Sequence, residues 1–233
     1  MNYFIHGVTR AIVETFELPQ PIVEIGAYQV SGQEAIANLR ALFPNRDYVG
    51  VDMRPGPGVD RVANVEQLPF ATGSVGTVLA LNTFEHVRSF WRGLDELHRV
   101  LRPGGALVMS TPFFFRIHQF PHDYWRFTPA AYEALLERYP SKVIGWHGTK
   151  HRPENVWAVA FREGRAAVTR AEYERYLELM AKYAREPEKS LTRRLRYRIA
   201  AFLCGRGPFA GYLDRNQWDS LCLNAAAPER AAA

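Results

Sequence analysis

Two acids and a glycine stand at the ends of two short apolar runs, Ile22-Val23-Glu24-Ile25-Gly26 and Tyr48-Val49-Gly50-Val51-Asp52. A carboxylate closing the second of two parallel strands can accept both hydroxyls of a ribose. A glycine, lacking Cβ, lets backbone come close to a ligand. The pair implies a nucleoside-containing cofactor. Further on, Phe113 to Thr128 mixes aromatics with His118, His122, Asp123, Tyr124 and Arg126. Apolar walls with a few orienting polar groups suit a small organic substrate. Phe113, Tyr124 and Trp125 are the candidate walls, and Arg126 is a candidate clamp for a carboxylate or phosphate. Imidazole titrates near neutrality, so His86 and His122 are the candidate general bases, with Asp123 as orienter or alternative base. Each has a competing structural reading: the aromatics pack the loop onto a sheet, Arg126 pairs with Glu24 or Glu66, and His86 bonds a backbone carbonyl. His118 and His122 lie four apart, as metal ligands on a helix do. Pro121 interrupts that helix and no third ligand stands at a telling spacing, so no metal site is read.

The elements needed to position these groups are legible as alternating periods. A helix is predicted over Phe4 to Leu18, ended by Pro19 and Pro21. Strands follow at Ile22–Ile25, Tyr48–Asp52 and Arg61–Ala63, with a helix over Ser31 to Phe43 between the first two. Ser31 is its N-cap and Glu34 stands at the capping-box spacing, so that its start offers free amides to an anion. The run Val75 to Leu81 reads as a strand buried on both faces. Helices are predicted over Phe90 to Leu101 and Thr128 to Tyr139, a strand at Ala106 to Ser110, and an antiparallel pair at Lys142–Trp146 and Asn155–Phe161. The fold class is therefore α/β: a Rossmann-like, doubly wound, mostly parallel sheet with an antiparallel last strand. The sheet is expected to end near Phe161. The expected organisation is a cofactor-binding domain over 1–163, a helical appendage over 164–224 and a flexible tail over 225–233.

The chain has 233 residues, 47% of them hydrophobic, enough for one domain with a sizeable core. Its two cysteines, Cys204 and Cys222, form neither a metal spacing nor a disulfide framework. With no secretory signal and no transmembrane run, a cytoplasmic location is expected. The net charge of +5 is local: 182–206 holds eight Lys or Arg against two Glu, leaving the remainder near neutral. That distribution speaks against a nucleic-acid partner. Within the segment, Leu191, Leu195, Ile199, Phe202 and Leu203 share one helical face with arginines mostly on the others. Packing on the parent domain or on a second subunit, as in a homodimer, is the expected use of 191–203. Weak contact with a membrane surface is the alternative.

The order of motifs resembles a known family. Glu24-x-Gly26, Asp52, Glu66-Gln67-Leu68-Pro69-Phe70, Asn82-Thr83-Phe84-Glu85-His86-Val87 and Leu101-Arg102-Pro103-Gly104-Gly105 fall in the sequence typical of class I S-adenosylmethionine-dependent methyltransferases, especially the type 11 branch. The resemblance covers about Ile22 to Phe161. Pro121 to Pro129 is similar to a signature in members acting on sugars or small metabolites. The family resemblance implies S-adenosyl-L-methionine as cofactor, with Glu24 and Gly26 near its methionine part. Asp52 would lie by the ribose, Asn64, Val65 and Glu66 by the adenine, and Asn82 and Thr83 on the floor, with Tyr28 and Met53 also among the cofactor-binding residues. The implied activity is methyl transfer to a small molecule or saccharide, with oxygen the expected acceptor. The rivals are a non-catalytic protein of this fold acting through its basic segment, a nucleic-acid methyltransferase, and a nicotinamide-dinucleotide protein. The last needs a Gly-x-Gly-x-x-Gly turn that this chain lacks. The chain departs from the family in two places. Tyr28 and Val30 stand where glycines are usual, so the loop after Gly26 must take another course. Asn64 replaces a common Asp near the adenine amine, and its carbonyl oxygen can still accept.

Overall fold

The computed structural model describes residues 2–118, 122–187, 190–205 and 216–225. Eight strands form one sheet: β1 Ile22–Ile25, β2 Tyr48–Asp52, β3 Arg61–Val62, β4 Val75–Leu81, β5 Leu101–Pro112, β6 Ser141–Thr149, β7 Arg152–Phe161 and β8 Trp218–Asn224. Their order is β3-β2-β1-β4-β5-β7-β6-β8. Strands β1 to β5 pair in parallel, and β7 inserts antiparallel between β5 and β6. The sheet is thus mostly parallel with an antiparallel finish, as expected. All residues of β1 and nearly all of β4 are buried, which is why these runs read as continuous apolar segments.

Alternate residues feed two cores. Val23, Ile25, Val78 and Ala80 face one layer with Leu94 and Leu97 of α3 Phe90–Val100, Tyr132 of α4 Pro129–Leu135 and Leu136 just after it. Ile22, Leu79 and Val159 face the other, with Phe4, Ile5, Val8 and Ile12 of α1 Tyr3–Thr15. That second core also takes Tyr176, Leu179 and Met180 of α5 Arg170–Tyr183. The Trp157 indole donates to the Tyr176 hydroxyl at 2.8 Å. Residues 164–184 therefore share the core of the sheet.

Three expectations are corrected. First, one helix over Ser31 to Phe43 is replaced by a single α-turn, α2 Glu34–Ala37, and a 3-10 turn over Leu39–Leu42. Gln33, not Ser31, precedes α2, and Glu34 instead accepts from the Gly32 amide. Asn38 separates the pieces, a residue that favours caps and turns over helix interiors. The break lets Ile36, Leu39 and Phe43 all reach buried positions. A helix this short presents no anion site. Second, the sheet does not end at Phe161. Strand β8 pairs antiparallel with β6 along its length, from Ser141↔Asn224 to His147↔Trp218. The segment 164–224 is therefore not wholly helical. Third, α6 Leu191–Cys204 forms as predicted but has no buried residue. Leu191, Leu195, Phe202 and Leu203 are all exposed, so its apolar face does not pack on the described parent domain. The expected tail beyond 225 and the stretch 206–215 lie outside the described residues, as does Pro121. No described helix is long and apolar enough to cross a membrane.

Candidate functional site

The carboxyl ends of β1, β2 and β4 open onto a cavity of about 810 Å³. Open parallel sheets bind ligands at this edge, where adjacent crossovers diverge. Gly26 follows β1 with φ +81, a conformation that favours glycine. A Cβ there would stand 2.4 Å from Thr83 Oγ1. Thr83 in turn donates to the carbonyl of Ile25 at 3.0 Å. The chain after β4 is thereby pinned against the chain after β1. Asn82 beside it has φ +51, and its side-chain oxygen accepts from Ser110 Oγ at 2.7 Å.

Asp52 ends β2 with Oδ2 accepting from the Tyr28 amide at 3.2 Å and Oδ1 from the Arg54 amide at 3.1 Å. The carboxylate is held by backbone and lines the cavity. Glu24 is buried and accepts from the Tyr48 hydroxyl at 2.6 Å. Burial pushes the Glu24 carboxyl up to about 7, against the lowering effect of that hydrogen bond. Asn64 Oδ1 accepts from the Glu66 amide at 2.9 Å, an Asx turn that fixes the loop after β3.

The loop after Gly26 takes the other course that its missing glycines require. The Gln29 amide donates to the carbonyl of Pro57 at 2.9 Å. The Tyr28 ring lies so close to Gly56 that a Cβ there would meet Cε2 at 2.3 Å. The Arg54 guanidinium covers the ring at 4.6 Å from its centroid. The loop carries bulk where the family has none, and the facing Pro55–Gly58 loop supplies the space.

On the other side of the cavity, residues after β5 form a strap over a 3-10 turn at Phe84–His86. The amides of Tyr124 and Trp125 both donate to the Glu85 carbonyl, at 2.8 and 3.2 Å. The Trp125 indole donates to the Val87 carbonyl at 3.0 Å and packs on Phe90. His86 Nδ1 donates to the His122 carbonyl at 2.6 Å. Burial lowers the His86 pKa below the ordinary imidazole value. His118 Nδ1 and Asp123 Oδ2 are 2.9 Å apart, and Arg126 makes a two-pronged pair with the same carboxylate. Those bonds, Arg126 foremost, hold the Asp123 carboxyl well below its usual range. The two imidazole rings meet edge to face, 4.7 Å between centroids. Beneath them Glu85 is fully buried, and neither carboxylate oxygen has a hydrogen-bond partner among the described residues. Burial pushes its carboxyl up to about 8.

All ten residues expected at the cofactor line this one cavity: Glu24, Gly26, Tyr28, Asp52, Met53, Asn64, Val65, Glu66, Asn82 and Thr83. His86, His122 and Tyr124 line it as well. Phe113, Trp125, Arg126 and Asp123 do not. Trp125 anchors the strap, and Arg126 is paired to Asp123 and not to Glu24 or Glu66. In their place Phe114, Phe115, Arg116 and His118 face the cavity. Glu85 went unassigned in the sequence; an acid inside the apolar frame Phe84-Glu85-His86-Val87 was the available signal.

Residues 28–109 match the family model described as a methyltransferase domain. An uncharacterized methyltransferase of Mycolicibacterium gilvum is 36% identical over 123 residues, covering 46% of this chain and 44% of the relative. The malonyl-[acyl-carrier protein] O-methyltransferase of Methylococcus capsulatus is 34% identical over 86 residues, 31% of each chain. The chain therefore spans less than half the length of these relatives. Among solved structures, a SAM-dependent methyltransferase from Archaeoglobus fulgidus superposes with TM-score 0.54 at 10% identity, covering 68% of this chain and 93% of that one. A Burkholderia thailandensis 1,6-didemethyltoxoflavin-N1-methyltransferase, solved with S-adenosylhomocysteine, superposes with TM-score 0.52 at 14% identity over 69% of this chain and 78% of that one. With this strand order beneath those matches, residues 28–109 are similar to the methyltransferase domain of these relatives, and the sheet shares the fold of the solved S-adenosylmethionine-dependent methyltransferases.

Proposed function

We propose that the protein transfers the methyl group of S-adenosyl-L-methionine to an oxygen of a small molecule or saccharide. The observation that carries this reading is one shared cavity, with the Asp52 carboxylate at one side and the imidazoles of His86 and His118 at the other. The residues present fit the cofactor. Asp52, fixed by two backbone amides, would accept the ribose hydroxyls. Gly26 leaves room for the chain of the methionine part, and Glu24 would face its ammonium. Asn64 Oδ1 retains a lone pair for the adenine amine.

The cofactor, when bound, supplies a methyl group already activated by its sulfonium. The protein's contribution is alignment and proton removal. The acceptor enters past Phe114, Phe115 and Tyr124, aromatic side chains exposed at the mouth, and its hydroxyl proton is lost at the His86–His118 pair. His122 stands at the rim as the second candidate for that step, with Asp123 orienting His118. An oxygen acceptor is supported by these imidazoles and by the Methylococcus relative, an O-methyltransferase.

Titration calorimetry with S-adenosylhomocysteine tests the first half: one site with a micromolar Kd is expected, and no heat at millimolar ligand sinks the reading. Transfer of labelled methyl to a panel of hydroxylated and amine acceptors tests the second. Label on amines alone would remove the oxygen assignment.

A further inference from the structure

Glu85, His86 and His118 each offer a ligand atom, and the three atoms lie within 4.8 Å of one another. Their surroundings decide what those atoms carry. The His86 Nδ1 faces a backbone carbonyl, which can only accept, so this nitrogen bears the proton and Nε2 the lone pair. The His118 Nδ1 faces the Asp123 carboxylate, so in the neutral ring the lone pair is on Nε2. Glu85 Oε1 lies 3.8 Å from His86 Nε2, and both carboxylate oxygens are buried without a hydrogen-bond partner among the described residues. Three potential ligand atoms converge, and the proton that burial favours on Glu85 is one that a bound cation would displace. Buried polar groups are ordinarily satisfied, and an unsatisfied carboxylate is costly. A cation at the point of convergence satisfies all three at once.

We propose that Glu85, His86 and His118 form a binding site for a first-row transition-metal dication of the Zn²⁺ type. Two imidazoles and one carboxylate are a donor set that suits such ions and not Mg²⁺. Ligand atoms around tetrahedral Zn²⁺ at about 2.1 Å stand roughly 3.4 Å apart, so the site closes by about an ångström on binding. The outer shell is in place. Asp123 and the His122 carbonyl hold the two rings by their far nitrogens, as metal-bound histidines are held. Arg126 fixes Asp123 in turn. Both histidines line the cavity while Glu85 lies beneath. The bound ion therefore keeps an open position toward the acceptor. There it would bind the acceptor hydroxyl and ease loss of its proton to water, in place of direct uptake by the His86–His118 pair, whose lone pairs the ion then occupies. That last role rests on the methyltransferase reading; the metal site does not.

Protein stripped with a chelator and then dialysed is titrated with Co²⁺, read by its visible d–d bands, and with Zn²⁺ by calorimetry. One equivalent of each is expected, and Mg²⁺ should not compete. His118→Ala and Glu85→Gln should each weaken binding at least 100-fold, and Asp123→Asn about 10- to 100-fold. S-adenosylhomocysteine binding by each variant reports that it is folded. The proposal is overturned if the wild type binds no Co²⁺ or Zn²⁺, or if a folded His118→Ala binds them as the wild type does. A protein that binds S-adenosylhomocysteine and no metal loses only this proposal. One that takes up the metal but not the nucleoside loses only the methyltransferase reading.

Discussion

One side of the cavity is lined by backbone and by side chains at strand ends; the other is lined by ionisable side chains on a strap. Gly26, Asp52 and Thr83 are set by β1, β2 and β4, whose residues are mostly buried and paired on both sides. His118 and His122 are set by hydrogen bonds from the 122–126 segment to one turn at Glu85–Val87. The first side is a product of the sheet. The second depends on a few polar contacts that a single substitution can undo. The side proposed for the cofactor, so built, tolerates changes elsewhere, while the side proposed for the acceptor can change chemistry without disturbing the fold.

The largest test of that contrast is Asp52→Ala. It removes the expected ribose acceptor and the tie to the Tyr28 and Arg54 amides. Calorimetry should show S-adenosylhomocysteine affinity down about 100-fold, in line with roughly 1.5–3 kcal/mol for a charged hydrogen-bonding group. Next, Trp125→Ala should unfasten the strap. We expect loss of acceptor turnover with cofactor Kd within about twofold, and a Tm drop matching roughly 2 kcal/mol for a half-buried aromatic. Equal damage to both sites would erase the distinction between the two sides.

Glu24 gives a pH test. Its folded pKa of about 7 lies above the ordinary 4.5. Between those values the folded protein holds a proton that the unfolded chain has released. Its stabilising contribution is full below about pH 4.5 and is lost as the pH rises through 7, by at most roughly 3 kcal/mol. Denaturant melts across that window should show the decline, and Glu24→Gln should flatten it. The smallest effect is expected at α6: Leu195→Asp with Phe202→Asp should shift stability by less than about 0.5 kcal/mol, because neither side chain is covered.

The same contrast governs what could be read from the chain. Ile22–Ile25, Tyr48–Asp52 and Val75–Leu81 are found at their predicted bounds because doubly buried strands leave unbroken apolar runs. The residues proposed for the cofactor follow, since strand ends place them. The strap residues were visible as a group, but not which of them turn inward. Phe113 and Phe114 are neighbours with opposite fates, and a loop has no period that assigns its faces. Strand β8 escaped because an edge strand alternates weakly: Trp218 and Cys222 pack on one core and Leu223 on the other. The burial of Glu85 is a tertiary fact, created only when Tyr124 and Trp125 close over its carbonyl.

Strand β8 also has a consequence for handling the protein. It occupies the outer hydrogen-bonding edge of β6 from Ser141 to His147. A chain cut before Trp218 would keep every residue of the cavity and yet present seven unpaired positions of a buried, apolar strand to solvent. Such an edge is a template for the β6 of another copy. Shortened versions are therefore expected to lose solubility before they lose the site, and a minimal domain has to run through Asn224 so that the last strand stays attached.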